Sequence, residues 1–249
     1  MATWRDLGRE IEAWTTAAAP PTFWWRDDDA TVLTPALERL LTLSESSGVP
    51  LALAAIPRDL VDDARARLAP VPGHAVLQHG FAHANHAPAD QRKCEYGEHR
   101  PLETIRDEIS DGWRRIRRCS GALPVFVPPW NRISEAVVEL LHACGLRGLS
   151  TLGARAAARL EAGLVQANVH VDIIDWRGSR GFAGDDAVLE QVLAHLRGRR
   201  AGTVDADEPT GLMTHHRDHD DGCWDFVQRL FEFTRGRVTW LTAREVFVV

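Results

Sequence analysis

Three consecutive aspartates, Asp27-Asp28-Asp29, directly follow the run Thr22-Phe23-Trp24-Trp25-Arg26. That run reads as a buried strand, and a strand end is a costly place to crowd three like charges. A bound divalent cation would neutralise them, and so would the guanidinium of Arg26. A second polar group, His79-Gly80-Phe81-Ala82-His83, offers co-ligands. Histidines four residues apart can place both imidazoles on one side of a helical turn. Two imidazoles and one carboxylate form a facial set with positions left open for water and substrate. Catalytic zinc uses such a set, and other first-row divalent ions also fit it. An HxxxH spacing alone is weak evidence, but beside the aspartate run it favours a metal site. His86 could replace one of the pair. In the plainer reading the histidines are polar loop residues and the aspartates cap the next helix.

These residues need elements to position them. Strand-like runs fall at 23–26, 51–55, 75–78, 125–127, 148–151, 167–174, 211–214 and 238–241. Helix-like segments lie between them, at 35–46, 59–68, 102–119, 135–144, 185–197 and 223–234, after a leading helix at 3–18 that Pro20-Pro21 ends. Thr34 before Pro35 and Ser134 before Glu135 are start signals, and Gly48 and Gly145 sit where helices should stop. Strands separated by helices predict parallel βαβ units, and seven or eight of them suggest a closed or nearly closed barrel. An open doubly wound sheet is the second choice. In parallel α/β folds the C-terminal strand ends converge on one face, where sites are built. The polar exceptions fall just there: the aspartate triplet, His79 and His83, Pro128-Pro129-Trp130-Asn131-Arg132, the stretch Asp172 to Trp176, and His215-His216. The segment 86–101 is the longest turn-rich insertion, a candidate lid or substrate loop.

The chain has 249 residues, which suits one barrel domain over 1–249, with 1–20 carrying the leading helix. A formal net charge of −6 gives a nucleic-acid partner no electrostatic support. The four cysteines are widely spaced with no CxxC pair, which argues against a disulfide framework or a cysteine-rich zinc site. The N-terminal stretch carries Arg5, Asp6, Arg9, Glu10 and Glu12 instead of a basic start and an apolar run, so it does not read as a signal peptide. No stretch approaches the ~20 apolar residues of a membrane span. A cytoplasmic setting is the expectation; oligomeric state is not encoded in these features.

Taken in order, Asp28-Asp29, His79-x-x-x-His83, Pro129-Trp130, Asp172-x-x-Asp175-Trp176 and Met213-Thr214-His215 resemble the five motifs of polysaccharide deacetylases, the NodB-homology or carbohydrate esterase family 4 enzymes. The resemblance runs from about Phe23 to His216 and looks most like a divergent cytoplasmic branch. It implies an α/β fold, a distorted (β/α)7 NodB-like barrel, with a divalent cation, zinc first, as cofactor. It also implies Asp28 as general base, Asp29, His79 and His83 as metal ligands, and His215 as general acid. Asp175 would orient His215 or raise its pKa. Trp130 and Trp176 would wall the groove. The triplet leaves a second register open, with Asp27 as base and Asp28 as ligand, and His216 is the rival acid. Strand alternation lets only one of His215 and His216 reach the site.

The implied reaction is hydrolysis of an N-acyl amide. The cation polarises the carbonyl and activates water, Asp28 takes the water proton, a backbone N–H helps hold the oxyanion, and His215 protonates the leaving amine from across the scissile bond. The expected substrate is an N-acylated carbohydrate or glycoconjugate, or else a small amide with a non-sugar C–N bond. A catalytically silent relative that binds carbohydrate or protein is a further alternative. Two departures from the family pattern bear on it. Val127 stands where the third motif usually begins with an arginine that pairs with the base; Arg26 or Arg132 would have to supply that charge. The insertion around Lys93-Cys94-Glu95-Tyr96-Gly97 has no counterpart, and Glu95 and Tyr96 are candidate substrate contacts.

Overall fold

A computed structural model describes residues 1–17, 19–68 and 73–248. Helix α1 (Trp4–Ala17) leads into β1 (Thr22–Ala30), α2 (Pro35–Ser47), β2 (Ala52–Ala55), α3 (Asp62–Arg67) and β3 (Ala75–His79). Then follow α4 (Leu102–Ile116), β4 (Ala122–Val127), α5 (Glu135–Leu141) and the two-residue strands β5 (Gly148–Leu149), β6 (Val165–Gln166) and β7 (Val171–Asp172). The chain closes with α6 (Asp185–Ala201), β8 (Thr210–Thr214), α7 (Asp221–Thr234), β9 (Thr239–Trp240) and α8 (Ala243–Phe247). The sheet runs β6-β5-β4-β3-β2-β1-β8-β7, with β9 added against β1. Every strand pairing is parallel. The sheet curls into a distorted (β/α)7-type barrel whose seam lies between β6 and β7.

Strand β1 shows how the sequence builds the two sides. Successive side chains of a strand point to opposite faces. Phe23 and Trp25 therefore join the large core beneath the outer helices, while Trp24 joins a second core inside the barrel. Both tryptophans pair their indole N–H when buried: Trp24 donates to Asn168 O at 3.0 Å, and Trp25 to Thr214 Oγ1 at 2.8 Å. Phe247 of α8 meets the Trp24 ring edge-on at 5.6 Å and packs into the inner core. Gly211 on β8 is required by close approach, since a Cβ there would run into Asn168 O and the Trp24 indole. Helix α2 begins as its signals predict. Thr34 accepts the Leu37 N–H at 3.1 Å ahead of Pro35, and Gly48 ends the helix at φ 74°.

Three expectations change. The first strand runs through the aspartates to Ala30, so the triplet lies within β1 instead of after it. The run 167–174 is not one strand: β6 ends at Gln166, Asn168 turns its side chain onto Thr151 N and Gly153 O, and β7 takes up only Val171–Asp172. Helix α8 was not anticipated, although Thr242 and Glu245 form a capping box at its start. The leading helix spans Trp4–Ala17, and the last position expected for it, 18, lies outside the described residues. No helix among the described residues is long and apolar enough to cross a membrane.

Candidate metal and catalytic site

The three aspartates occupy one strand but face three partners. The β1–β2 register slips between Asp27 and Ala30, and Asp29 adopts φ 74°. A bulge with its residue in the left-handed region breaks the strict alternation that would have put Asp27 and Asp29 on one face. Asp27 turns toward β8. Its Oδ1 lies 2.5 Å from His216 Nδ1, and its Oδ2 accepts the Thr214 hydroxyl at 2.6 Å and the His216 N–H at 3.0 Å. Both residues are buried, and they spend their polar groups on each other. The register with Asp27 as base and His216 as acid is therefore not the one this geometry offers. Asp27 is held by Thr214 and His216.

Asp28 is gripped by Arg26. The guanidinium Nε and Nη2 donate to its two carboxylate oxygens at 2.8 and 2.9 Å, the bidentate fit that arginine makes best. Arg26 is fully buried, and its remaining contacts fix it: Nη1 donates to Ser150 Oγ at 2.7 Å and Nη2 to Asn131 Oδ1 at 2.8 Å. The charge expected from the third motif thus comes from the same strand, two residues away. Arg132 is committed elsewhere, to Lys93 O at 2.7 Å.

Asp29 meets the histidines. Its Oδ1 lies 3.2 Å from His79 Nε2 and 3.4 Å from His83 Nε2. That oxygen is buried without a hydrogen-bond partner. His79 Nδ1 sits 3.0 Å from Val127 O. A carbonyl only accepts, so the ring proton belongs on Nδ1 and Nε2 presents its lone pair to Asp29. The His79 lone pair and the unpartnered Asp29 oxygen thus face each other with no hydrogen bond between them, which is the condition a cation satisfies. The titration behaviour reports the same demand for positive charge. Burial opposes an imidazolium at His79, yet the carboxylates of Asp28 and Asp29 outweigh it and raise its pKa. Burial opposes a charged Asp29 too, and the two imidazoles hold its carboxyl well below the usual range. The donor set, two imidazole nitrogens and a carboxylate oxygen, fits zinc or a neighbouring first-row divalent ion. His86 is exposed and stands outside this group.

Backbone strain gathers at the same place. Of the six non-glycine residues with positive φ among the described residues, four are Asp29, His83, Trp130 and Asn131. Such conformations cost on the order of 1 kcal/mol or more each and persist where surrounding contacts enforce them.

His215 follows β8, with its Nε2 4.0 Å from Asp28 Oδ2 and its Nδ1 buried without a partner. The acid and base candidates therefore lie side by side, closer than an arrangement on opposite sides of a scissile bond would place them. Trp176 meets the His215 ring edge-on at 4.9 Å, and Trp130 lies 4.4 Å from the His83 ring. Asp175 does not reach His215: its carboxylate caps the loop amides of Arg177 and Gly178 at 3.2 and 2.9 Å. The carboxyl beside His215 is Asp172, which received no role from the sequence. It accepts the Trp176 indole N–H at 2.8 Å; burial raises its pKa, and the charge of His215 works against that rise. Glu95 and Tyr96 are fully buried and contact no open cleft. Tyr96 packs edge-on against Phe126 at 5.1 Å, and Glu95 accepts the backbone N–H groups of Ala82 and His83 at 2.9 and 3.2 Å. Substrate contact is thus closed to both. A cleft of about 400 Å³ opens over Asp29 and His83, bounded by Val32, Ile56, Asp59 and Arg217.

A second group of two histidines and a carboxylate, His170, His195 and Glu208, lies at the opposite ends of the strands. His170 precedes β7 and Glu208 precedes β8, while His195 comes from α6. The two imidazoles stack at 3.4 Å with 16° between their planes. Nothing in the sequence spacing pointed to it.

No protein-family model matches the sequence, and no curated protein does. Solved structures match in fold. A family 4 acetyl xylan esterase from Clostridium thermocellum, in complex with a cobalt ion, superposes with TM-score 0.54 at 16% identity over 91% of this chain and 90% of its own. A peptidoglycan N-acetylglucosamine deacetylase gives TM-score 0.57 at 16% identity, covering 92% and 88%. A family 4 pseudoenzyme from Bacillus anthracis gives 0.55 at 13% identity, covering 88% and 62%. The chain therefore has the fold of the family 4 carbohydrate esterases and deacetylases. That fold carries both active and inactive members, so activity has to be argued from the site.

Proposed function

We propose that this chain is a metal-dependent hydrolase that removes an acyl group, N-acetyl first, from a sugar or soluble glycoconjugate. One observation carries the reading: His79 and His83 converge on a buried Asp29 oxygen that has no hydrogen-bond partner, beside a carboxylate that a buried arginine holds in place. Asp29, His79 and His83 would hold the cation. Bound there, a divalent ion supplies Lewis-acid polarisation of the acyl carbonyl and lowers the pKa of water.

The protein groups divide the rest of the work. Asp28 takes the proton of the attacking water, and the Arg26 fork fixes which carboxylate edge faces the cleft. His215 delivers a proton to the leaving amine. Its Nε2 lies 4.0 Å from Asp28 Oδ2, so proton uptake and delivery occur within one small volume. Trp176, anchored by Asp172, limits the swing of the His215 ring. Trp130 braces His83. The fold neighbours include an acetyl xylan esterase and a peptidoglycan N-acetylglucosamine deacetylase, which supports a carbohydrate substrate. Zinc as the native ion, a cytoplasmic setting and a single catalytic domain are parts of the same proposal.

The test is acetate release from a panel of N-acetylated sugars. Release that depends on added zinc and vanishes in His79→Ala and Asp29→Ala supports the proposal. Undiminished release from both variants after metal stripping overturns it.

A further inference from the structure

The insertion at 86–101 holds a residue that the reaction scheme leaves unused. Glu95 is fully buried, yet it lies beside the loop that carries His83. Its two carboxylate oxygens take one backbone N–H each, Oε1 from Ala82 at 2.9 Å and Oε2 from His83 at 3.2 Å. Three other backbone groups of that loop are held from different elements. Gly80 N–H donates to Val127 O at 3.0 Å, Gln78 Nε2 donates to Gly80 O at 3.1 Å, and Arg58 N–H donates to Phe81 O at 3.0 Å. Glu95 supplies the last two acceptors, at the point where His83 turns into the left-handed region at φ 53°. Packing is tight as well: a Cβ on Gly80 would collide with Glu95 Oε2 and the Pro129 ring.

The insertion is itself tied down on both sides. His86 N–H donates to Cys94 O at 3.0 Å, Cys94 N–H to Asn85 Oδ1 at 2.9 Å, and Ser134 N–H to Tyr96 O at 2.9 Å. Arg132 donates to Lys93 O. The Glu95 carboxylate is thus anchored between the His83 loop and the loop that carries Trp130 and Asn131.

We infer that Glu95 is a positioning residue that sets the left-handed turn at His83 and so aims His83 Nε2 at Asp29. Without such a brace a left-handed backbone is unfavourable for a histidine, and it relaxes. Removing the acceptor also leaves two buried N–H groups unpaired, which adds to the drive to rearrange. Groups that orient metal ligands typically change metal affinity by about 10–100-fold when removed. The inference rests on the metal-site reading above, and its test is separate from catalysis.

Zinc affinity is measured by chelator competition, and the visible spectrum of the cobalt(II)-loaded protein is recorded, for wild type, Glu95→Gln, His83→Ala and the double variant. Glu95→Gln keeps the size of the side chain and one acceptor oxygen, so it folds where Glu95→Ala does not. The expected result is zinc affinity lower by about 10-fold in Glu95→Gln and a cobalt spectrum shifted toward that of His83→Ala. The double variant then binds no more weakly than His83→Ala alone, because Glu95 acts through His83. Wild-type affinity and spectrum in Glu95→Gln, or a full additive loss in the double variant, overturns the inference. A protein that binds zinc in this pattern yet releases no acetate contradicts the hydrolase proposal and leaves the role of Glu95 standing.

Discussion

The barrel carries two groups of two histidines and one carboxylate, one at each end of its strands, and their proton chemistry is opposite. At the C-terminal ends, His79 Nδ1 faces the Val127 carbonyl, so Nε2 is bare and looks at Asp29. At the N-terminal ends, His170 Nδ1 accepts the Gly211 N–H at 2.9 Å, so the ring proton is forced onto Nε2. That Nε2 lies 3.3 Å from Glu208 Oε2 without forming a hydrogen bond to it. His195 follows the same logic. Its Nδ1 lies 2.9 Å from Thr210 Oγ1, a hydroxyl that already accepts from Arg199 and so has its own proton to give. Glu208 also accepts the Asn168 and Arg155 backbone N–H groups at 2.9 and 2.8 Å. The first group leaves a buried carboxylate oxygen of Asp29 without a donor and invites a cation; in the second the ring protons fall on the two Nε2 atoms, which are buried without hydrogen-bond partners, and backbone N–H groups satisfy Glu208. Ligand type and proximity are alike in the two, and the partner of the far ring nitrogen separates them.

The contrast is sharpest in stability. His170→Ala leaves the Gly211 N–H and one face of the Glu208 carboxylate without partners in a buried place. We expect it to cost about 2–4 kcal/mol in denaturant unfolding and to leave the metal content unchanged. Asp29→Asn relieves a crowded site and changes the stability of metal-free protein by less than about 1 kcal/mol, while metal binding is lost. The opposite ranking would break the assignment of structure to one group and function to the other.

A smaller effect appears on the acid side. Burial, with His170 and Arg199 adding to it, depresses His195 to about 2, and burial lowers His170 as well. Below a pH of about 6.5 the unfolded chain takes up protons that the folded chain refuses. The contribution of each histidine is therefore complete above that pH and shrinks as pH falls toward its folded value, by up to about 1.4 kcal/mol per pH unit. Arg155 and Arg199 beside the pair reinforce the resistance to protonation, and Glu208 opposes it. His195→Asn, which keeps a partner for the Thr210 hydroxyl, should flatten the acid limb of the stability profile measured by urea unfolding from pH 7 to 4. An unaltered slope would remove His195 from the account.

Much of this was legible in the sequence. The alternation of β-branched and aromatic runs with amphipathic segments predicted the parallel strands and their order along the chain. The order of polar clusters predicted which strand ends meet. Asp29, His79 and His83 are brought together as the family resemblance implied. What stayed hidden depends on backbone detail. The bulge at Asp29 decides which aspartate faces which partner, and no residue type at that position announces it. Arg26 and Arg132 were equal candidates for the missing motif charge; Arg26 takes it because it and Asp28 point to the same side of β1 and close a fork across a two-residue separation. Asp172 and Asp175 are indistinguishable by type; only the turn after β7 shows that one faces Trp176 and the other caps a loop. Glu95 and Tyr96 read as substrate contacts because the insertion is turn-rich, yet their side chains are buried between two other loops. His170, His195 and Glu208 come from a loop, a helix and a second loop, so no periodicity connects them.

The central claim is that one group binds a divalent ion and the other does not. The direct measurement is the zinc content of the saturated, desalted protein, with the ion located by anomalous scattering in a crystal. The account predicts one zinc per chain between Asp29, His79 and His83, lost in His79→Ala and retained in His170→Ala. Zinc between His170 and His195, or no zinc at saturating concentration, would contradict it.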